Sequence, residues 1–243
     1  MRRVEDEHFW FGATRRVIFE ALERALGPRH TGARLLDVGC GTGYTLAQLS
    51  PAIRATGVDF SATALAFARE RLGLHSKTTL VRGSAYALPF TDGSFDAVLA
   101  LDVLEHLDHD LDAALEMRRV LTKGGVAIIT VPAFAELWSA HDEALDHKRR
   151  YRLSEIESVL RRAGFVVEHG TYYNFFLFPL VAMARLTARI RGASPSDRKA
   201  EADLRVPPTP LNELFGAVLA SERRLAPWIR LPFGVSCMVI ARA

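Results

Sequence analysis

The chain has 243 residues, 49% of them hydrophobic, 24% charged and 9% aromatic, proportions that exclude disordered, collagen-like and disulfide-stapled classes. Its formal charge of +3 divides unevenly: residues 1–146 sum to −5 and residues 147–243 to +8. The basic half either faces an anionic partner or forms a solvated arginine-rich surface.

Near the start, Glu5-Asp6-Glu7 leaves no apolar run for a secretory signal. Val17, Ile18, Ala21, Leu22 and Ala25 then share a helical face that Gly27-Pro28 closes, so residues 1–30 are expected to form a helical cap. Arg34 to Val38 reads as a strand entering a glycine-rich turn. Tyr44 to Leu49 reads as helical, Arg54 to Val58 as a second strand, Ser61 to Leu72 as a helix with Ser61 as its N-cap, and Thr78 to Val81 as a third strand. After Thr91-Asp92-Gly93, the run Phe95 to Ala100 is almost continuously apolar, broken by Asp96, as a strand buried on both faces needs. A helix over 109–121 opens with Asp110 and Asp112 and ends with Arg118 and Arg119, matching the helix dipole. Val126 to Val131 is a further strand, and Ser154 with Glu157 predicts a capping box for a helix that Gly164 ends. This alternation predicts an α/β, doubly wound parallel sheet with helices on both faces.

The rhythm then breaks. Phe165 to Tyr173 and Gly234 to Arg242 both read as strands, yet about 60 residues separate them, too many for a structureless loop. Phe175 to Ile190 is apolar and aromatic with Arg185 and Arg189, Gly192 to Pro210 is polar and proline-bearing, and Leu211, Leu214, Phe215, Val218 and Leu219 form an amphipathic stripe. The expected organisation is a core of residues 31–173 and 232–243 with a helical insertion, 174–231, acting as a lid. The longest uncharged stretch, Gly170 to Ala184, is shorter than the about 20 apolar residues a spanning helix needs. Two cysteines, Cys40 and Cys237, cannot staple such a chain, which predicts a reducing, cytoplasmic setting.

The strongest chemical signal is Leu35-Leu36-Asp37-Val38-Gly39-Cys40-Gly41-Thr42-Gly43-Tyr44. Glycines between strand and helix let the backbone approach a ligand at the sheet's carboxyl edge, where open α/β sheets bind. Tyr44 stands where a dinucleotide fingerprint needs its third glycine, which argues against a nicotinamide-dependent dehydrogenase. The Asp37 carboxylate repels pyrophosphate and suits a cationic or amine-bearing ligand.

These motifs resemble those of the class I S-adenosylmethionine (SAM)-dependent methyltransferases over about residues 31–170. Gly57-Val58-Asp59-Phe60-Ser61, Arg82-Gly83-Ser84-Ala85, Leu101-Asp102-Val103-Leu104-Glu105-His106-Leu107 and Leu121-Thr122-Lys123-Gly124-Gly125 fall at the family's spacing. The resemblance implies a Rossmann-like, seven-stranded, mostly parallel sheet whose last strand is antiparallel, with a helical insertion before it. It also implies SAM as cofactor and S-adenosylhomocysteine as product. Asp37, Gly39, Gly41 and Gly43 would hold the methionine portion, Asp59 the ribose hydroxyls, and Phe60, Ser84, Ala85 and Leu101 the adenine side. Ser84 replaces the family's usual acid, so its contact falls to the backbone of Ser84 and Ala85.

On the acceptor side, His106 is a candidate base. Trp138 to Tyr151 resembles an element of a bacterial subgroup that also shares His8-Phe9-Trp10-Phe11. His141, Asp142 and His147 are the candidate base and orienter there, and Trp10, Arg149, Arg150 and Tyr151 the candidate acceptor contacts. Two acid–histidine clusters, Glu105-His106 with Asp108 to Asp110 and His141-Asp142 with Asp146-His147, lack a recognised ligand motif, so no metal is expected. The expected partner is a small-molecule acceptor methylated at oxygen or nitrogen. Alternatives are sugar-nucleotide or polyprenyl-linked intermediates, with docking at an anionic membrane surface, and a non-catalytic SAM-binding protein. A nucleic acid partner is not expected, because no aromatic–basic alternation marks a strand-tracking groove.

Overall fold

The structure is a computed structural model, and it describes residues 2–73, 77–190 and 206–243. In chain order the elements are α1 (Arg2–Glu7), α2 (Phe9–Leu26), β1 (Arg34–Val38), β2 (Arg54–Asp59), α3 (Ala62–Leu72), β3 (Thr79–Arg82), β4 (Phe95–Leu101), α4 (Asp110–Val120), β5 (Leu121–Pro132), α5 (Ala140–Ala144), α6 (Leu153–Arg162), β6 (Val166–Tyr173), α7 (Phe178–Ile190), α8 (Thr209–Ser221) and β7 (Ser236–Arg242). The sheet has seven strands in the order β3-β2-β1-β4-β5-β7-β6. Strands β1 to β5 pair in parallel, and β7 lies antiparallel to both β5 and β6. This is the Rossmann-like, doubly wound sheet that the resemblance implied.

Period-two alternation divides the central strands between two cores. Leu36, Val38, Val98, Ala100, Ile129 and Val239 face α4 and α6. Leu35, Ala97, Leu99, Ile128, Met238 and Ile240 face the opposite side, against Val17, Ile18 and Leu22 of α2. A sheet covered on both faces requires near-continuously apolar strands, and β4 satisfies this from Ala97 to Leu101, with Asp96 at its entry paired to Arg34.

Ser61 caps α3 as read from the sequence, its hydroxyl accepting from the Ala64 N–H at 3.2 Å. Two local readings are corrected. The capping box of α6 sits two residues earlier, because the Arg152 N–H donates to Glu155 Oε2 at 2.7 Å. Ser154 lies inside the first turn, and Glu157 is buried against Arg161 and Arg230. Tyr44 to Leu49 forms only a short 3-10 turn, Leu46–Gln48. Pro51 restricts Ser50 and ends the segment before a full α-helix can propagate.

The insertion is structured where it is described. Asn212 of α8 accepts from the Phe9 N–H at 3.0 Å and donates to the Glu7 carbonyl at 2.9 Å, and Phe215 packs on Phe9 at 5.4 Å between ring centroids. The α1–α2 segment and the insertion therefore meet above the carboxyl edge of the sheet. Residues 192–205 of the polar, proline-bearing stretch, Arg191 before it and the Arg189 side chain lie outside the described residues. Among the described residues, no helix is long and apolar enough to cross a membrane.

Candidate active site

A cavity of about 790 Å³ opens at the carboxyl ends of β1 and β4, within the range of about 300–1,000 Å³ typical of small-molecule sites. Its floor is the turn after β1. Gly39, at φ +69°, lies so close to Val103 that an added Cβ would meet Val103 Cγ2 at 2.6 Å. Gly41, at φ +53°, has nothing within 4 Å of where a Cβ would stand, and its N–H donates to Asp59 Oδ2 at 2.9 Å. The other oxygen of Asp59 accepts from the Ser61 N–H at 2.8 Å. The carboxylate thus ties the turn to the end of β2. From above, the Thr42 hydroxyl donates to Glu5 Oε2 at 2.5 Å, and Arg71 pairs with the same oxygen at 2.8 Å. These contacts clamp α1 onto the turn.

Asp37 is the buried charge of this end, 2% exposed and lining the cavity. Burial pushes its pKa up to about 7, against the pull of Arg15 and with the push of Asp59. A buried carboxylate beside an open, backbone-lined cradle suits a ligand that combines a positive charge with a flexible chain. SAM fits that description through its sulfonium and amino groups.

The other end of the cavity is built from the segment after β4 and the segment around α5. His106 and His147 stand perpendicular, with ring centroids 4.7 Å apart, and His141 lies 6.4 Å from His147. Asp142, fully buried, is the hub. It accepts from Ser139 N at 2.8 Å, from Arg150 Nε at 2.7 Å and Nη2 at 2.9 Å, and from His147 Nδ1 at 2.9 Å. Burial alone would raise its pKa, but the hydrogen bonds and charges of His147 and Arg150 outweigh that and hold it well below the usual carboxylate range. An ionised Asp142 only accepts, so the Nδ1 of His147 donates to it, and Nε2 is the ring nitrogen left for the cavity. Burial, helped by the charge of His147, lowers the His106 pKa. The Lys148 N–H donates to the Glu105 carbonyl at 2.7 Å and joins the two segments.

Of the residues expected from the sequence, Trp10, Asp37, Gly39, Gly41, Leu101, His106, His141, His147 and Arg150 all line this cavity. Gly43 does not, and packs over Ala68 of α3. Asp59, Phe60, Ser84 and Ala85 lie outside the cavity wall. Phe60 is 76% exposed beside Asp59, and the Ser84 hydroxyl accepts from the Tyr86 N–H. Two expected acceptor contacts are turned elsewhere. Arg149 donates to the Asp108 carbonyl at 3.0 Å and faces Asp110. The buried Tyr151 hydroxyl bonds Asp110 Oδ2 at 2.9 Å and the Leu104 carbonyl at 3.2 Å. Arg150 reaches the cavity wall, but its donors serve Asp142 and the Ala133 carbonyl. Sequence reasoning gave no part in ligand binding to Glu5, Arg15, Asp102 or Glu105, which all line the cavity. Asp102 holds a left-handed φ of +56° at the end of β4, a conformation Asp tolerates better than most residues.

Residues 36–129 match the model of a family described as a methyltransferase domain. A probable S-adenosylmethionine-dependent methyltransferase of Mycolicibacterium smegmatis is 30% identical over 193 residues, covering 78% of this chain and 70% of that protein. A demethylmenaquinone methyltransferase of Staphylococcus aureus is 36% identical over 120 residues, 45% of this chain and 50% of that one. Among solved structures, a phosphoethanolamine N-methyltransferase of Haemonchus contortus in complex with S-adenosyl-L-methionine superposes with a TM-score of 0.60 at 21% identity, over 92% of this chain and 51% of that one. That last likeness speaks for the fold alone. Together with the glycine turn and the buried Asp37, the mycobacterial relative establishes that the chain belongs to the SAM-dependent methyltransferases.

Proposed function

We propose that the protein methylates an oxygen or nitrogen of a small-molecule acceptor bound beneath α7, against His106 and His147. The observation that carries this reading is the His147–Asp142 pair, 2.9 Å long and fixed by a fully buried carboxylate, with His147 lining the same cavity as Asp37. SAM, when bound, supplies an electrophilic methyl group on a positively charged sulfur. Asp37, Gly39 and Gly41 hold the charged end of that ligand. Asp142 fixes the His147 ring so that Nε2 accepts a proton from an acceptor hydroxyl or ammonium, and burial keeps His106 neutral beside it. Leu177, Leu180 and Val181 roof the cavity and exclude water that would compete for the acceptor's place. The relative named as a demethylmenaquinone methyltransferase supports a small acceptor. We take the setting as cytoplasmic, in keeping with two buried, free cysteines.

A second reading, a lipid-linked acceptor met at a membrane surface, draws on α7. Leu180, Met183 and Leu186 recur at three-residue spacing and are 47%, 59% and 58% exposed, a row that can enter the interface of an anionic bilayer.

The test is incubation of the protein and SAM with a metabolite extract, read by mass spectrometry for any compound gaining one methylene. His147→Ala should abolish that product while SAM binding by calorimetry is retained. No product from any fraction, or full turnover by the variant, refutes the proposal. Co-sedimentation with anionic vesicles, lost on Met183→Asp, decides for the second reading.

A further inference from the structure

Methyl transfer leaves Glu105 unexplained. Its side chain is fully buried and lines the cavity, yet among the described residues neither carboxyl oxygen has a hydrogen-bond partner in another residue. Among the described residues no arginine or lysine forms an ion pair with it. Buried polar groups are nearly always satisfied, and one that is not calls for a missing partner.

The neighbours of Glu105 suggest what that partner is. One carboxyl oxygen of Glu105, one ring nitrogen of His106 and one of His147 all lie within 4.8 Å of one another. All three side chains line the cavity. The His147 Nδ1 is already committed to Asp142 at 2.9 Å, which leaves Nε2 for the cluster. A carboxylate on the far nitrogen is the arrangement that orients metal-binding imidazoles. Two backbone hydrogen bonds, Lys148 N to the Glu105 carbonyl at 2.7 Å and His147 N to the Asp142 carbonyl at 2.9 Å, fix the segments that carry the donors.

We propose that Glu105, His106 and His147 bind a divalent transition-metal ion of the zinc or manganese type, revising the expectation of no metal. Two imidazoles and one carboxylate form the donor set of zinc sites that keep a position open for a ligand. Magnesium and calcium favour sites made wholly of oxygen. Bonds of about 2.0–2.2 Å bring tetrahedral donors to about 3.4 Å apart, so the side chains close inward when the ion enters. The ion supplies the partner that the Glu105 carboxylate lacks. A position left open toward the cavity would take an oxygen atom of the acceptor, and the ion as a Lewis acid would lower that oxygen's pKa so that its proton leaves to solvent, in place of proton acceptance by His147 Nε2, which then holds the ion. The binding site stands independently of the methyl-transfer reading, whereas its catalytic use rests on that reading.

The test uses the whole chain, stripped with a chelator and dialysed. Zinc and manganese are titrated separately against a chromophoric chelator, with magnesium as a control, and cobalt(II) absorption reports the coordination. The expected result is one equivalent of zinc or manganese in the wild type and at least a hundredfold weaker binding in Glu105→Gln and in His106→Ala. Asp142→Asn should weaken it about 10–100-fold. SAM titrated into the same samples shows that each variant is folded. No stoichiometric ion, or equal uptake by Glu105→Gln, overturns the site and leaves Glu105 a protonated acid. One equivalent of zinc in a protein indifferent to SAM keeps the site and refutes the methyl-transfer reading instead.

Discussion

Lowering the pH from 7 to 5 should weaken SAM binding about fiftyfold, and Asp37 should be the cause. Burial pushes this carboxyl up to about 7, partly against Arg15, so in the free protein it becomes neutral below that pH. A cationic ligand favours the ionised form. The affinity therefore falls about fivefold from pH 7 to 6 and about ninefold more from pH 6 to 5, about 2.3 kcal/mol in all. The ligand's own amino group, titrating near an α-amine's value of about 8, stays charged throughout this window and contributes no slope. Calorimetry at pH 5, 6 and 7, in pairs of buffers with different ionisation enthalpies, measures the dissociation constant and the proton released on binding. Asp37→Asn should abolish both the slope and the release. The apo protein carries the complementary signature. Because the folded pKa lies above the unfolded value of about 3.9, the stabilisation is fully present below pH 4 and is lost as pH rises through 7, a loss on the order of 4 kcal/mol. Denaturant midpoints should fall across that window in the wild type and fall less steeply in Asp37→Asn, where Glu105 is the remaining buried carboxyl with a raised pKa. A dissociation constant that is flat with pH, or a slope that survives Asp37→Asn, refutes the role given to this carboxylate.

Three further outcomes are expected. Asp142→Asn leaves the buried Arg150 guanidinium without its counter-charge and should cost about 3–5 kcal/mol; chemical unfolding checks this, and a cost below about 1 kcal/mol counts against the hub. Gly39→Ala drives a Cβ to 2.6 Å from Val103 Cγ2 at a left-handed φ and should cost about 1–3 kcal/mol in strain, read as a lower melting temperature together with weaker SAM binding. Asp59→Ala removes the acceptor for the Gly41 and Ser61 amides and should weaken SAM binding by about 1.5–3 kcal/mol; an unchanged calorimetric constant speaks against the assignment.

What could be read from the sequence was local in origin. The apolar run of β4, the glycine turn and the Ser61 cap each depend on residues a few positions apart, and each formed as expected. The box at α6 moved because Glu155 competes with Glu157 as the third helical residue, while Glu157 finds Arg230, 73 residues away. Arg149 and Tyr151 were expected at the acceptor because the motif lists them side by side. Residues 147–150 form no turn, and alternate residues of such a segment share a side, so Arg149 and Tyr151 both meet Asp110 while Arg150 between them meets Asp142. The meeting of Glu105 with His147 was not legible at all, since it depends on a backbone hydrogen bond between segments about 40 residues apart. No periodicity or spacing encodes such a contact.

The place of β7 within the sheet bears on how the protein assembles. During synthesis β6 leaves the ribosome before β7, its one strand neighbour among the described residues, and the sheet stays divided until residues 236–242 thread between β5 and β6. Until then β6 carries an unsatisfied backbone edge, open to mispairing with another chain. A frameshift or premature stop within the insertion therefore strands β6 outright, and the product is a substrate for aggregation or proteolysis rather than a weaker enzyme.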